Sequence, residues 1–154
     1  MTLEEFIRQP ASENVYEEVC ENVTQTEDFG RRLGQIVPNG TVIACVGGMG
    51  LGKTALAHGL AKGLGLHDDI ASPTYAIVHE YTNGRLPLFH FDFYRLHSLE
   101  DLEQTGFDSY LSSDGILYIE WSEQLPGALP KPYLELHFQH LDENCRSLRL
   151  IWQM

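Results

Sequence analysis

Residues 47–54 carry the residue types and the spacing of a loop that binds the phosphates of a nucleotide. They read Gly-Gly-Met-Gly-Leu-Gly-Lys-Thr and fit the pattern G-x-x-x-x-G-K-[S/T]. Glycines let successive backbone N–H groups approach phosphate oxygens, because no Cβ atom stands in the way. Lys53 would place its charge at the β- and γ-phosphates, and Thr54 would offer a hydroxyl ligand to Mg²⁺. The predicted nucleotide-binding residues here are Gly47, Gly48, Met49, Gly50, Leu51, Gly52, Lys53, Thr54 and Ala55.

The segments on either side of this loop have the patterns that a phosphate-binding loop requires. Residues 41–46 form an apolar run that predicts a buried strand, and residues 55–64 carry the apolar stripe of a helix. A helix that begins near Lys53 would direct its free N–H groups and the positive end of its dipole at the same anion. A glycine-rich turn without a ligand is the alternative. The order of strand, loop and helix favours the phosphate site.

Two carboxylates follow apolar, strand-like runs and are candidates for the rest of the chemistry. Glu120 ends the run 116–119, as the acidic residue of a Walker B strand does, and Asp92 ends the run 88–91 in the same way. Strand ends at the carboxyl edge of an open α/β sheet are where such folds bind ligands. One carboxylate would hold Mg²⁺, directly or through water, while the other would position the attacking water. The alternative for each is an ordinary cap or turn carboxylate.

The loop around Ser72 and Thr74 and the side chain of Trp121 have more than one interpretation. Ser72-Pro73-Thr74 lies between the predicted phosphate-loop helix and the next strand, where a loop could act as a switch that responds to the γ-phosphate. A proline turn explains the same residues. Trp121 could stack on the nucleotide base, contact a partner or pack in the core.

Three further polar residues receive the plainer interpretation. His90 stands within Phe-His-Phe, which favours a packed or hydrogen-bonded histidine over a catalytic base. Arg95 and Arg146 could approach phosphate, yet we expect both to be ordinary surface arginines.

The remaining patterns predict an α/β, three-layer P-loop NTPase-like domain with a mixed, partly antiparallel sheet. Thr24 and Glu27 have the spacing of a capping box and predict a helix from residue 25 to 36. Asn83-Gly84 predicts a hairpin between the runs 75–81 and 86–91. Ser98 would cap a short acidic helix. Further strands are expected at residues 15–21, 116–119, 133–139 and 147–152.

Length and composition indicate one domain of an acidic protein. The chain has 154 residues and a net charge of −12, with 22 acidic and 10 basic side chains. Residues 1–154 are expected to form a single P-loop domain, and residues 1–14 a loosely ordered segment. A chain this acidic would repel a nucleic-acid backbone, so we expect no strong direct binding to nucleic acid.

The lack of recognisable targeting signals and the spacing of the cysteines indicate a cytoplasmic protein. No run approaches the ~18 apolar residues of a membrane span, and the first residues lack the features of a signal peptide. The three cysteines are widely spaced, which argues against a disulfide framework or a zinc site. We therefore expect a cytoplasmic protein that does not associate with a membrane.

Several motifs in one order give the chain a resemblance to a known family. The phosphate loop is followed by Ser-Pro-Thr-Tyr at 72–75, His-Phe-Asp-Phe-Tyr-Arg-Leu at 90–96, Ile-Glu-Trp at 119–121 and Leu-Pro at 129–130. Over about residues 24–150 this resembles the bacterial TsaE (YjeE) family. The phosphate loop alone is shared by very many families, whereas the motifs that follow it are specific in combination.

The resemblance implies an ATPase that is needed for threonylcarbamoylation of adenosine 37 in tRNA. Such a protein acts with TsaB and TsaD and does not transfer the group itself. By matching position, the resemblance implies that Thr54 and Glu120 hold Mg²⁺ and that Asp92 is the hydrolytic or metal-linked carboxylate. It also implies that Trp121 lies at the nucleotide or partner edge and that Thr26 approaches the adenine.

The chain departs from the family at two positions of the loop, and three other functions remain open. Gly48 replaces the aspartate of the usual G-D-L-G-A-G-K-T, and Leu51 replaces a small residue. A GTPase switch is one alternative, although no N-K-x-D sequence for guanine is present. A small-molecule kinase and a nucleotide-dependent binding module with negligible turnover are the others.

Overall fold

A mixed seven-stranded sheet organises the parts of the chain that the computed structural model describes, residues 1–47, 52–67 and 77–154. The strand order is β1-β7-β6-β2-β5-β4-β3. The strands are β1 Val15–Cys20, β2 Val42–Val46, β3 Val78–Tyr81, β4 Leu88–Asp92, β5 Ile116–Glu120, β6 Tyr133–His140 and β7 Arg146–Gln153. The mixed sheet that the sequence predicts is thereby confirmed.

Four neighbouring strands run parallel and end at one edge of the sheet. β2 pairs in parallel with β5 and with β6, and β5 pairs in parallel with β4. β3 joins β4 as the predicted antiparallel hairpin, while β7 lies antiparallel between β6 and β1. The carboxyl ends of β2, β4 and β5, from which the predicted loop and both predicted carboxylates arise, therefore share one edge.

Helices cover both faces of the sheet, which confirms the three-layer architecture. The helices are α1 Leu3–Arg8, α2 Val23–Ile36, α3 Lys53–Gly63, α4 Leu99–Gln104 and α5 Phe107–Ser112, with a 3₁₀ turn at Ser122–Gln124. One apolar core joins α1, α2 and α3 to one face, and a second joins α4 and α5 to the other. None of the helices in the described ranges is long and apolar enough to cross a membrane.

Helices α2 and α3 pack backbone against backbone through glycines. A Cβ atom on Gly30 or Gly34 of α2 would lie within 3.0 Å of a backbone oxygen of α3. A Cβ on Gly59 or Gly63 of α3 would meet the carbonyl oxygens of α2 equally closely. Real Cβ atoms essentially never approach other atoms at such distances. Glycine at these positions lets α3, the helix behind the phosphate loop, lie directly on α2.

The N-terminal segment contradicts the prediction of a loosely ordered stretch at residues 1–14. Thr2 and Glu5 form a capping box at the start of α1. Leu3, Phe6 and Ile7 are buried in the core, and the indole N–H of Trp152 donates to the carbonyl oxygen of Phe6 at 3.1 Å. The prediction is wrong at residues 3–8, because three apolar residues at helical spacing outweigh the polar composition around them.

Helix α2 begins two residues before the predicted start. Its N-cap is Asn22, whose Oδ1 accepts from the backbone N–H of Gln25 at 2.9 Å. The side chain of Gln25 accepts from the N–H of Glu21 at 2.8 Å. An Asn-x-x-Gln pair therefore occupies the role predicted for Thr24 and Glu27, because both pairs have the spacing of a cap.

Replacing Gly59 with alanine should destabilise the fold through the contact between α2 and α3. Helix propensity alone would stabilise the variant by about 1 kcal/mol. The new Cβ would overlap the carbonyl oxygen of Glu27, so we expect a net loss of about 2 kcal/mol or more in the free energy of unfolding. Urea denaturation measures this difference.

Gly40→Ala is the matched control for this substitution. Gly40 has φ +87°, and no atom lies within 4 Å of the place that a Cβ would occupy. Its cost of about 1 kcal/mol therefore arises from backbone strain alone. A Gly59→Ala protein as stable as the parent would contradict the close packing of the two helices.

Candidate active site at the carboxyl edge of the sheet

Glycines with positive φ angles stand at both ends of the predicted phosphate-binding segment. Gly47, directly after β2, has φ +143°, and Gly52 has φ +96° and is the N-cap of α3. Glycine carries no side chain, so no side chain caps the first N–H groups of α3. A helix start of this kind leaves backbone donors and the positive end of the dipole available to an anion. The predicted residues Gly48, Met49, Gly50 and Leu51 lie outside the described residues.

Lys53, the first residue of α3, is held along the edge of the sheet. Its side chain is only 6% exposed, and Nζ lies 5.1 Å from the centre of the Trp121 ring. The hydroxyl of Tyr118 donates to the carbonyl oxygen of Lys53 at 2.8 Å and ties α3 to β5. The next residue, Thr54, is exposed. A charged ammonium group and an accessible hydroxyl thus stand together at the start of α3.

Asp92 and Glu120 end adjacent parallel strands in register with each other. Asp92 of β4 is the partner of Glu120 in β5, and Glu120 is in turn the partner of Cys45 in β2. Register partners in neighbouring strands lie on the same face of the sheet, here the face covered by α3. The structure therefore brings both predicted carboxylates to the strand from which the phosphate loop emerges.

His90 holds the Glu120 carboxylate from inside the sheet. Its Nε2 lies 2.8 Å from Oε2 of Glu120, and because a carboxylate only accepts, the imidazole nitrogen donates. The His90 side chain is fully buried and packs edge to face against Tyr118 at 5.1 Å. The expectation of a packed, hydrogen-bonded histidine is confirmed. The arrangement also fixes one oxygen of a candidate metal ligand, which is how outer-shell partners orient such ligands.

Asp92 has an electrostatic environment that favours its protonated form. Burial raises the pKa of the Asp92 carboxyl above its ordinary value of 3.8, and the charge of Glu120 raises this pKa further. The N–H of Tyr94, which donates to Oδ1 at 2.9 Å, and the positive charge of Lys53 act in the opposite direction. Two neighbouring carboxylates with partial burial are a suitable setting for a divalent cation, because the cation relieves their repulsion.

Trp121 turns the chain sharply where β5 ends. Its φ and ψ of 60° and 36° lie in the left-handed region, where residues other than glycine are strained. The ring contacts Lys53 on one side and packs 5.0 Å from the ring of Tyr94, which is 57% exposed. Trp121 therefore lies between Lys53 and the exposed Tyr94, and its place at the nucleotide or partner edge stays a prediction.

The other predicted site residues divide into one that is buried and two that are not described. Thr26 lies in the first turn of α2 with no exposed surface, and its hydroxyl donates to the carbonyl oxygen of Asn22 at 3.3 Å. The contact between Thr26 and adenine stays a prediction, and the burial of Thr26 does not favour it. Ser72 and Thr74 lie outside the described residues.

The expectation of a surface arginine is correct for Arg95 and wrong for Arg146. Arg95 is exposed, whereas Arg146, the first residue of β7, is only 8% exposed and lies against Gly52. Sequence reasoning missed it because β7 lies three strands from the predicted Mg²⁺ carboxylate in the sheet order but next to the loop in space.

A donor set of this kind matches a cation that is shared with a bound phosphate. Among the described residues, no three His, Cys, Asp or Glu side chains are arranged as a metal-binding cluster. Mg²⁺ is usually bound by one or two carboxylates together with substrate phosphates and water. The pair Asp92 and Glu120 supplies the carboxylates for that mode of binding, and Thr54, exposed at the second residue of α3, carries the hydroxyl.

Replacing Asp92 with asparagine should stabilise the protein at neutral pH. A raised pKa in the folded state means that folding is disfavoured increasingly as pH rises through the pKa of Asp92. An asparagine at this position lacks that titration and keeps an oxygen for the Tyr94 N–H. The melting temperature of Asp92→Asn relative to the parent should therefore be higher at pH 7 than at pH 3, as measured by calorimetry.

Glu103→Gln removes the same charge from an exposed site on α4 and serves as the control. It should show no comparable gain on passing from pH 3 to pH 7. If the difference in melting temperature between Asp92→Asn and the parent were the same at pH 3 and pH 7, the electrostatic description of this edge would be contradicted.

Comparison with known proteins gives the family of the chain. The family model described as "Threonylcarbamoyl adenosine biosynthesis protein TsaE" matches residues 20–148. A curated protein from Synechocystis named "tRNA threonylcarbamoyladenosine biosynthesis protein TsaE" is 41% identical over 119 residues, which is 75% of each chain. The protein of the same name from Haemophilus influenzae is 35% identical over 130 residues and matches across 81% of this chain and 82% of its own.

A solved structure agrees in fold. The crystal structure of Bacillus subtilis YdiB superposes with a TM-score of 0.78 at 25% sequence identity, covering 90% of this chain and 86% of the other. The curated Bacillus subtilis TsaE is 31% identical to this chain over 127 residues. The resemblance noted in the sequence motifs is confirmed: the chain belongs to the TsaE family.

Proposed function

We propose that this protein is a Mg²⁺-dependent ATPase of the cytoplasm that supports threonylcarbamoylation of adenosine 37 in tRNA. The observation that carries the proposal is that Asp92 and Glu120 pair in register and that the charge of Lys53, at the uncapped start of α3, acts on Asp92. The names of the curated relatives support the place in tRNA modification. The protein would act with TsaB and TsaD and would not transfer the threonylcarbamoyl group itself.

Each residue has a distinct task in the proposed hydrolysis. The N–H groups at the start of α3 and the ammonium group of Lys53 bind the phosphates of ATP. Thr54 and Glu120 would hold Mg²⁺, which would supply positive charge to offset the negative charge of the phosphates. His90 keeps Glu120 oriented toward this position. Asp92 orients the attacking water, and its raised pKa suits a group that exchanges a proton with water.

The charge of the chain supports partners that are proteins. A net charge of −12 disfavours direct binding of this protein to the tRNA backbone. Tyr94, exposed beside Trp121, extends the active-site edge to the protein surface. A partner that contacts this edge would sense the state of the nucleotide site directly. The proposed coupling to TsaB and TsaD therefore needs no second site on this chain.

Multiple turnovers of tRNA threonylcarbamoylation should depend on Lys53. The purified protein is added to TsaB, TsaD, tRNA and a source of threonylcarbamoyl-AMP, and modified tRNA is counted per TsaD over time. We expect the parent to support many turnovers of TsaD. With Lys53→Ala, modification should stop after about one turnover per TsaD, because the ammonium group at the phosphates is lost.

Lys62→Ala removes an exposed lysine from the same helix and should support turnover like the parent. Continued turnover with Lys53→Ala, at an unchanged melting temperature, would contradict the proposal. Transfer of phosphate to a metabolite would instead identify a small-molecule kinase, and tighter binding of GTP than of ATP would identify a GTPase.

Asp92→Ala should separate binding from hydrolysis. The variant keeps Lys53, Thr54 and Glu120, so its affinity for MgATP should stay within about threefold of the parent, while loss of the group that orients water should slow hydrolysis about 100-fold or more. Calorimetric titration measures binding, and release of phosphate in the presence of TsaB and TsaD measures turnover. Normal hydrolysis by Asp92→Ala would show that another group orients the water.

A further inference from the structure

Two buried cations flank Gly52, and only one of them belongs to the recognised loop motif. Among the described residues, Lys53 and Arg146 are the only buried lysine and arginine, at 6% and 8% exposure. The described arginines and lysines that form ion pairs lie at the surface instead: Arg8, Arg31, Arg32 and Lys62. The burial of Arg146 therefore needs an explanation of its own.

The guanidinium of Arg146 lies against the last glycine of the phosphate loop. A Cβ atom placed on Gly52 would lie 2.5 Å from Nη1 of Arg146 and 3.5 Å from both Cδ and Cζ. Gly52 is the N-cap of α3, whose first N–H groups carry no side-chain cap. Arg146 thus reaches the anion-binding end of α3 from the β7 side. Glu120 and Asp92 approach the loop from the β5 and β4 side.

The charge of Arg146 has no partner in the described part of the chain. Its Nε is buried without a hydrogen bond, and no carboxylate there lies within ion-pair distance of the guanidinium. Its strand partners are Cys20 and His140, neither of which supplies a carboxylate. Burying an unpaired guanidinium costs several kcal/mol. In a chain with 22 acidic residues, an internal partner would have been easy to supply.

An oxyanion bound at the start of α3 would satisfy both the charge and the buried donor. The Nε–H and Nη–H groups of a guanidinium form a planar fork that fits two oxygens of a phosphate. A purine stacked on the guanidinium face would leave the in-plane Nε–H without an acceptor. The unsatisfied donor therefore favours phosphate over the nucleotide base.

We propose that Arg146 is a phosphate-binding residue of the nucleotide site, gripping the bound nucleotide opposite the carboxylates Asp92 and Glu120. The inference rests on the proposed nucleotide site and adds a residue that the loop motif does not contain. The ligand then has the guanidinium of Arg146 on the β7 side of β2 and the carboxylates Glu120 and Asp92 on the β5 and β4 side.

Arg146→Met tests the assignment, because methionine keeps an apolar stem beside Gly52 and removes the donors. Loss of a charge-assisted, two-pronged hydrogen bond should weaken binding about 10- to 100-fold. Calorimetry with Mg²⁺ and either ATP or inorganic tripolyphosphate should give a similar factor for both ligands, since both present phosphate. Arg146→Lys should recover part of the affinity, because lysine restores the charge without the fork.

Arg149→Met makes the same change at an exposed position of β7 and should bind both ligands within about twofold of the parent. A folded Arg146→Met protein with the parent's affinities would overturn the inference. Weaker binding of ATP with unchanged binding of tripolyphosphate would also overturn it, since the guanidinium would then serve the base. If Arg146→Met fails to fold, parent-like binding by folded Arg146→Lys would overturn the fork geometry. Failure of the unsubstituted protein to bind either ligand would instead contradict the proposed function.

Discussion

Parallel pairing in register among β2, β5 and β4 is the constraint on which the site depends. It sets Cys45, Glu120 and Asp92 side by side at one edge, directly where the chain leaves β2 for the phosphate loop. A shift of one residue in either pairing would move a carboxylate to the opposite face of the sheet. The helix that follows the loop is fixed independently, by its glycine contact with α2 and by the hydroxyl of Tyr118. Sheet and helix together hold the two halves of the site.

The protein concentrates its unfavourable interactions at this edge. Asp92 has a raised pKa beside Glu120, Trp121 adopts a left-handed backbone conformation, and Arg146 keeps a buried donor without a partner. His90 likewise has a buried Nδ1 without a hydrogen bond. Apolar side chains of two clusters pack the helices against the two faces of the sheet. Local strain and like charges at one edge are typical of a site whose groups are completed by a ligand.

Sequence patterns predicted the parts of this protein that depend on local order. The hairpin at Asn83-Gly84 and the strand-ending positions of Asp92 and Glu120 follow from residues close together in the chain. The missed features depend on tertiary contacts. Arg146 meets Gly52 only because β7 folds back beside β6, and α1 is stable because its three apolar residues find a core. The contact of Arg146 leaves no distinct mark in the local sequence, and α1 shows only three apolar residues at helical spacing in a mostly polar segment.

The most direct measurement of the site is the calorimetric affinity for ATP with and without Mg²⁺, made on the parent and on Glu120→Gln. If Glu120 at the edge of the sheet holds Mg²⁺ on the phosphates, Mg²⁺ should tighten ATP binding by the parent about tenfold or more. The same Mg²⁺ should have little effect on Glu120→Gln. Equal tightening of both proteins by Mg²⁺, or no effect of Mg²⁺ on the parent, would contradict a metal-assisted nucleotide site at this edge.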